Sequence, residues 1–161
     1  MLNLYETMPQ IGRVQWIGLR PQRREPMLVV DEVEVDVGSG LVGDRFNAKP
    51  GSKRMVTLIQ AEHLPVIASI LAMQSVEPAE LRRNIVVSGI NLLALKAPDK
   101  ELTFSVGDAV LRMTGNCHPR SRMEETLGPG GFNAMRGHGG ITATVVASGK
   151  IHVGCKVTRV E

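Results

Sequence analysis

ELTFSVGDAVLRMTG, residues 101–115, is the stretch on which the fold class turns. It reads as two β-prone runs around Gly107-Asp108, a turn-forming pair between apolar segments. Other runs outside it have the same character. VQWIGL (14–19) is apolar and β-prone, and MLVVDEVEVDV (27–37) alternates Val33, Val35 and Val37 with acidic residues, the period-2 pattern of a half-buried strand. RMVTLI (54–59) and NIVVSGI (84–90) read as more deeply buried strands. ITATVVASGKIHVGCKVTRV (141–160) reads as a closing hairpin with its turn near Ser148-Gly149. Turn signals at intervals of about eight to twelve residues favour a β-barrel or sandwich.

Helix is expected in only one or two places. QAEHLPVIASILAMQ (60–74) carries Leu64, Ile67, Ile70 and Leu71 at helical spacing, with Pro65 tolerable only in a first turn. Glu77-Pro78-Ala79-Glu80 starts a short helix, its proline preset for the first helical position. Without a repeat, low-complexity segment or linker, residues 1–161 read as a single, mostly β (α+β) domain with its core over about 14–160.

Composition narrows the function classes. The 161 residues can bury a core without disulfides or a metal staple. Aromatic content of 3% leaves no stacking surface for single-stranded nucleic acid, and no block of five or six like charges suggests a nucleic-acid tail. MLNLYETMPQ lacks the charged and apolar regions of a signal peptide, and no apolar run is long enough for a membrane helix. With only two cysteines, Cys117 and Cys155, a cytoplasmic location with reduced thiols is the expectation.

The net charge of +3 hides local grouping: Arg20, Arg23 and Arg24; Arg82 and Arg83; Arg120 and Arg122. Guanidinium forks match phosphate oxygens, so these groups suit a small phosphate-bearing ligand as well as a solvated surface. GSGLVGDRF (38–46) lacks the Gly-Lys-Ser/Thr ending of a Walker loop. It is either a tight turn, with Asp44 capping amides and Arg45 paired to an acid, or a loop bringing Arg45 and Arg54 to an anion. LRRNIVVSGINL (81–92) sets Arg82, Arg83 and Asn84 at the entrance of a strand, where sites gather.

TGNCHPRSRMEETLGPGGFNAMRGHGG (114–140) contains the densest chemistry. Cys117 there is either a reactive or metal-binding thiol or a small buried hydrophobe. His118, Arg120 and Arg122 can activate it only if the chain turns, because an extended segment points them away from the sulfur; Pro119 makes a turn plausible. Zinc ligation by Cys117, His118, His138 and His152 matches no standard spacing. A Cys–His hydrolase lacks a third-residue or oxyanion signature. Cys155 reads as packing.

In order and length, GLVGDRF, RMVTLIQAEHL, LRRNIVVSGINL, FSVGDAVLRMTG, CHPRSRMEETLGPGGFNAMRGHGGI and GKIHVGCKV resemble the MOSC family, named for the C-terminal domain of molybdenum cofactor sulfurase. The resemblance spans about Val14 to Val160. It implies a distorted mixed or antiparallel β-barrel and binding of the molybdenum cofactor, with sulfur transfer or molybdenum-dependent reduction of N-oxygenated compounds as the activity. A non-enzymatic cofactor or sulfur carrier and a degenerate scaffold are the alternatives. It implies Cys117 as catalytic thiol and molybdenum ligand. It also implies Arg45, Arg54, Arg82, Arg83, Asn84, Arg120, Arg122, Arg136, Gly137 and His138 as cofactor contacts. The implied partners are the anionic pterin cofactor and a desulfurase or electron-donor protein. Pyridoxal phosphate is not expected in this chain. Relatives often carry C-x-P-C or C-x-x-C in this segment; here the run is Cys117-His118-Pro119-Arg120, so arginine holds the second cysteine's place.

Overall fold

The computed structural model describes residues 3–45 and 52–160. The 101–115 stretch forms the hairpin its pattern predicts. Its strands, Thr103–Val106 and Ala109–Asn116, pair antiparallel from Thr103 with Arg112 to Val106 with Ala109. Gly107 makes the turn at φ +56°, where a Cβ would meet the Lys150 carbonyl oxygen at 2.7 Å.

In chain order the strands are β1 (Gly12–Leu19), β2 (Leu28–Val30), β3 (Glu32–Asp36), β4 (Gly40–Leu41), β5 (Val56–Gln60), β6 (Ile85–Ser88), β7 (Thr103–Val106), β8 (Ala109–Asn116), β9 (Ile141–Ala147), β10 (Gly149–His152) and β11 (Lys156–Val160). The helices are α1 (His63–Ile70), α2 (Pro78–Leu81), α3 (Ser121–Leu127) and α4 (Gly131–Met135). Seven strands close a mixed barrel in the order β11-β7-β8-β9-β5-β6-β1, with β1 returning to β11. Closure removes the open edges a flat sheet would expose. Of the barrel's pairings among the described residues, β5–β6 is the parallel one, and its crossover contains α1 and α2.

The barrel interior holds Val14, Ile17, Leu58, Ile85, Phe104, Leu111, Met113 and Ile141, all essentially inaccessible. A second apolar cluster lies where the helices cover β5 and β6: Ile59 and Val86 pack with Ile67, Leu81, Met123, Leu127 and Met135. This layer fixes α3 and α4, and therefore the segment that follows Cys117.

Three expectations are corrected. Residues 27–37 are not one strand. The chain breaks at Asp31, β2 adding to β1 and β3 joining a separate sheet β10-β3-β4. The alternation survives only in β3, where Val33 and Val35 are buried. Residues 141–160 are not a simple hairpin. β9 pairs with β5 and β8, β10 crosses to β3, and β11 returns to β7 and β1. Gly149 lies against the Asp108 backbone, and Ile151, in register with Val33, shares the buried face of the β3–β10 ladder. Finally, the described residues form four short α-helices, where one or two helices were expected. Met123 and Leu127, four residues apart, give α3 a buried stripe inside what reads as a glycine-rich loop.

α1 is shorter than its periodicity, ending at Ile70 with Ala72 at φ +53°, and Pro65 lies in its first turn as expected. α2 opens on Pro78 with a capping box between Glu77 and Glu80. Among the described residues no helix is long and apolar enough to cross a membrane. Phe46, within the GLVGDRF motif, lies outside the described residues.

Candidate functional site

The site begins where α2 hands over to β6. Arg82 caps α2 in the left-handed conformation (φ +56°), which sends two consecutive arginines in different directions. Arg82 reaches outward and donates to the carbonyls of Glu25 (2.5 Å) and Gln22 (3.2 Å), tying down the loop that carries Arg23 and Arg24. Arg83 turns inward and is only 7% exposed. Its Nε donates to the Gly139 carbonyl (2.8 Å) and its Nη1 to the Leu81 carbonyl (2.7 Å), while the buried Nη2 has no hydrogen-bond partner among the described nitrogen and oxygen atoms. Among the described residues Arg83 forms no ion pair with a carboxylate at hydrogen-bonding distance. Burial holds the guanidinium below the usual arginine range; the sulfur of Cys117 opposes that shift, and Arg20 and Arg54 reinforce it.

Cys117 follows the last residue of β8 and is 4% exposed. Its amide donates to the Gly140 carbonyl (2.8 Å), so the cysteine and Arg83 hold neighbouring carbonyls of one Gly-Gly pair. The two glycines are required by space. A Cβ on Gly139 would lie 2.5 Å from the Cys117 carbonyl oxygen and 3.3 Å from Arg83 Nη2, and Gly140, at φ +86°, packs on the Leu58 carbonyl. Beyond Cys117 the chain leaves the strand, passes Pro119 and enters α3 with Arg120 at its N-cap.

Asp44 organises the opposite wall. It accepts from the Arg20 amide (2.8 Å), from Arg20 Nε (3.2 Å) and Nη2 (2.9 Å), and from Asn84 Nδ2 (3.2 Å). The Arg45 amide donates back to the Arg20 carbonyl (2.6 Å) and leaves the Arg45 side chain exposed.

These elements enclose an open cavity of about 460 Å³ with Cys117 and Arg83 in its wall. Among the described residues its lining includes nine arginines and a single carboxylate, Glu125. Of the residues singled out in the sequence, the cavity brings together Cys117, His118, Arg45, Arg54, Arg82, Arg83, Arg120 and Arg122. Asn84, Arg136, Gly137 and His138 are not among its lining residues. Asn84 is fully buried and clasps three strands, accepting from the Thr57 amide (3.2 Å) and hydroxyl (3.1 Å) and donating to the Gly18 carbonyl (3.1 Å). Arg136 is exposed, and the ring of His138 packs edge-on against His63 at 5.4 Å. Arg20, Arg23, Arg24, Ser121 and Glu125 join the lining without having been assigned to the site. The arginine triplet was visible as a charge group, but nothing in the sequence joined it to a loop a hundred residues away.

Among the described residues no three His, Cys, Asp or Glu side chains converge as a metal cage, and both cysteines are free and buried. A soft metal centre would therefore bring most of its own ligands and take one thiolate from this chain.

The fold is similar to several solved structures. The YUAD protein from Bacillus subtilis matches at a TM-score of 0.77 and 16% identity, covering 94% of this chain and 97% of that one. YiiM from Escherichia coli matches at 0.68 and 20%, covering 92% and 70%, and YiiM from Geobacillus stearothermophilus at 0.71 and 16%, covering 93% and 75%. No curated protein matches the chain significantly. The MOSC domain matches residues 44–158, from Asp44, the partner of the cavity residue Arg20, to the last barrel strand. That span contains the barrel's β5–β9 run and the Cys117 loop, and the chain belongs to the MOSC domain family.

Proposed function

We propose that the cavity binds the molybdenum cofactor, with Cys117 as the protein's thiolate ligand or sulfur carrier. The observation that carries this reading is the placement of one buried thiol in a wall of guanidinium groups, beside an Arg83 Nη2 that has no hydrogen-bond partner among the described nitrogen and oxygen atoms. The cofactor is a sulfur-rich, phosphate-bearing group, and the residues present fit it. A thiolate is a soft donor for molybdenum, and arginine forks match a phosphate and oxo oxygens. When bound, the cofactor supplies two-electron redox chemistry at a metal held by sulfur.

The chain's own residues do the rest. The Cys117 N–H donates a hydrogen bond to the Gly140 carbonyl, so its sulfur is presented from a rigid strand end. Arg83, locked through two carbonyls, supplies positive charge at the sulfur and offers its remaining donor to the ligand. Arg54, Arg82 and Arg122 offer the phosphate-binding charge. Gly139 lets the backbone come close to both Cys117 and Arg83. Reduction of an N-oxygenated substrate is the activity this reading favours, with electrons delivered by a separate donor protein.

The test is molybdenum and oxidised-pterin content of the purified wild type and of Cys117→Ser, expressed in cells that make the cofactor. Cofactor in the wild type and its loss in the variant is the expected result. Equal content in both removes Cys117 as a ligand, and none in either refutes cofactor binding.

A further inference from the structure

The cavity carries more uncompensated charge than a single phosphate needs. Arg20 is spent on Asp44. Arg24 faces Glu125 only at 3.9 Å, with both side chains more than 60% exposed, which is a weak pair. Arg82 and Arg83 hydrogen-bond to neutral carbonyls, so their charge remains. Arg23, Arg45, Arg54, Arg120 and Arg122 make no ion pair with any described residue. One phosphate engages about two or three guanidinium groups, and here seven lack any ion pair among the described residues.

The surplus is divided in space. Arg82 and Arg83 point to different sides of the α2–β6 junction, one toward the 22–25 loop and the other toward Gly139 and Cys117. Each has its own cationic neighbours: Arg54, with Arg20, acts on Arg83, whereas Arg122 and Arg45, with Arg20, act on Arg82. Both guanidinium groups are held below the ordinary arginine range by burial first, and these like charges deepen the shift, while Asp44 opposes it at Arg82 and the Cys117 sulfur at Arg83. Such mutual repulsion is relieved when an anion enters each group.

We infer that the cavity contains two anion subsites, an inner one on Arg83 and Arg54 beside Cys117 and an outer one on Arg82, Arg122 and Arg45. The ligand set it takes therefore carries two anionic groups of the phosphate or carboxylate class. The inference uses the cavity of the functional reading above, deepens it by naming the charge of what binds there, and does not depend on molybdenum.

The probe is inorganic phosphate, added at constant ionic strength to the cofactor-free full chain while the melting temperature is followed. A ligand bound only by the native state stabilises it in proportion to the number of sites filled per decade of concentration. The rise in Tm per tenfold phosphate is expected to halve in Arg54→Gln, halve in Arg122→Gln and vanish in the double variant. Arg45→Gln, at an exposed position, replaces Arg122→Gln if the latter does not fold. No phosphate effect in the wild type, a rise abolished by either single variant, or a rise that both leave intact overturns the two-subsite assignment. Absence of molybdenum with two phosphate increments defeats the cofactor reading alone. Cys117-dependent molybdenum with a single increment defeats only this inference.

Discussion

Arg83 and Cys117 are anchored to adjacent carbonyls, Arg83 Nε to Gly139 and the Cys117 amide to Gly140, each at 2.8 Å. One comes from the β6 entrance and the other from the end of β8, so the Gly-Gly pair sets the distance between a buried charge and a buried sulfur. Substitution at either glycine acts on the site through the backbone. In Gly139→Ala the new methyl meets the Cys117 carbonyl, which cannot swing away as a side-chain tip could. The expected loss is about 1–3 kcal/mol by overpacking, with cofactor content falling further than stability. Gly140→Ala adds a disfavoured φ of +86° to a clash with the Leu58 carbonyl. It is expected to lose more than Gly139→Ala, which urea melts of both variants check.

Asp44 tests a different joint. Its side chain is 1% exposed and pairs with Arg20, itself 15% exposed. Asp44→Ala leaves the Arg20 guanidinium without its carboxylate and takes one of the two acceptors of Asn84 Nδ2, which keeps the Gly18 carbonyl. Breaking one side of such a buried pair is expected to destabilise by about 3–5 kcal/mol. Asp44→Asn retains an acceptor for Asn84 and the Arg20 amide and is expected to fall between wild type and alanine. If both variants melt like wild type, the Asp44 clasp is not what holds the cavity wall.

Local patterning made most of the barrel legible. The Gly107-Asp108 turn, the buried runs at 54–59 and 84–90 and the two helix starts all carry their signals within a few residues. What was hidden depends on contacts distant in sequence. Nothing inside 27–37 says that β2 and β3 belong to different sheets, because the alternation of Val33 and Val35 describes a face and not a partner. Likewise β10 looks like the return arm of β9, but its ladder is with β3. At the site, residue type found the arginines and the thiol, while burial separated the lining residues from Asn84. Asn84 has the same polar character at the same strand entrance, but its hydrogen bonds are all spent on Thr57, Gly18 and Asp44.

The His63–His138 contact gives stability a pH dependence. Burial lowers the affinity of His63 for a proton below its ordinary 6.5; the nearby His138 adds to this and Glu62 opposes it. In the window below 6.5 the unfolded chain therefore binds more protons at this position than the native one, so stability rises with pH. The contribution is complete above 6.5 and is lost as pH falls through the lower native value. Wild-type stability is expected to decline between pH 7 and pH 5, and His63→Phe to decline less. Parallel curves for the two proteins would remove His63 as the source.

The two thiols separate in chemical reactivity. Cys155 sits among barrel residues at 6% exposure, and burial pushes its thiol up from the usual range, leaving less thiolate to react. Cys117 is equally inaccessible by area, but it lines an open cavity whose other walls are cationic. An anionic alkylating agent such as iodoacetate is drawn to that cavity and away from the barrel interior. Peptide-resolved labelling of the native full chain at pH 8 is expected to modify Cys117 well before Cys155. Iodoacetate should gain more over neutral iodoacetamide at Cys117 than at Cys155, and the gain should shrink with added salt. Equal rates at the two cysteines with both reagents would mean that labelling follows global opening, and that the arginine wall does not act on the sulfur.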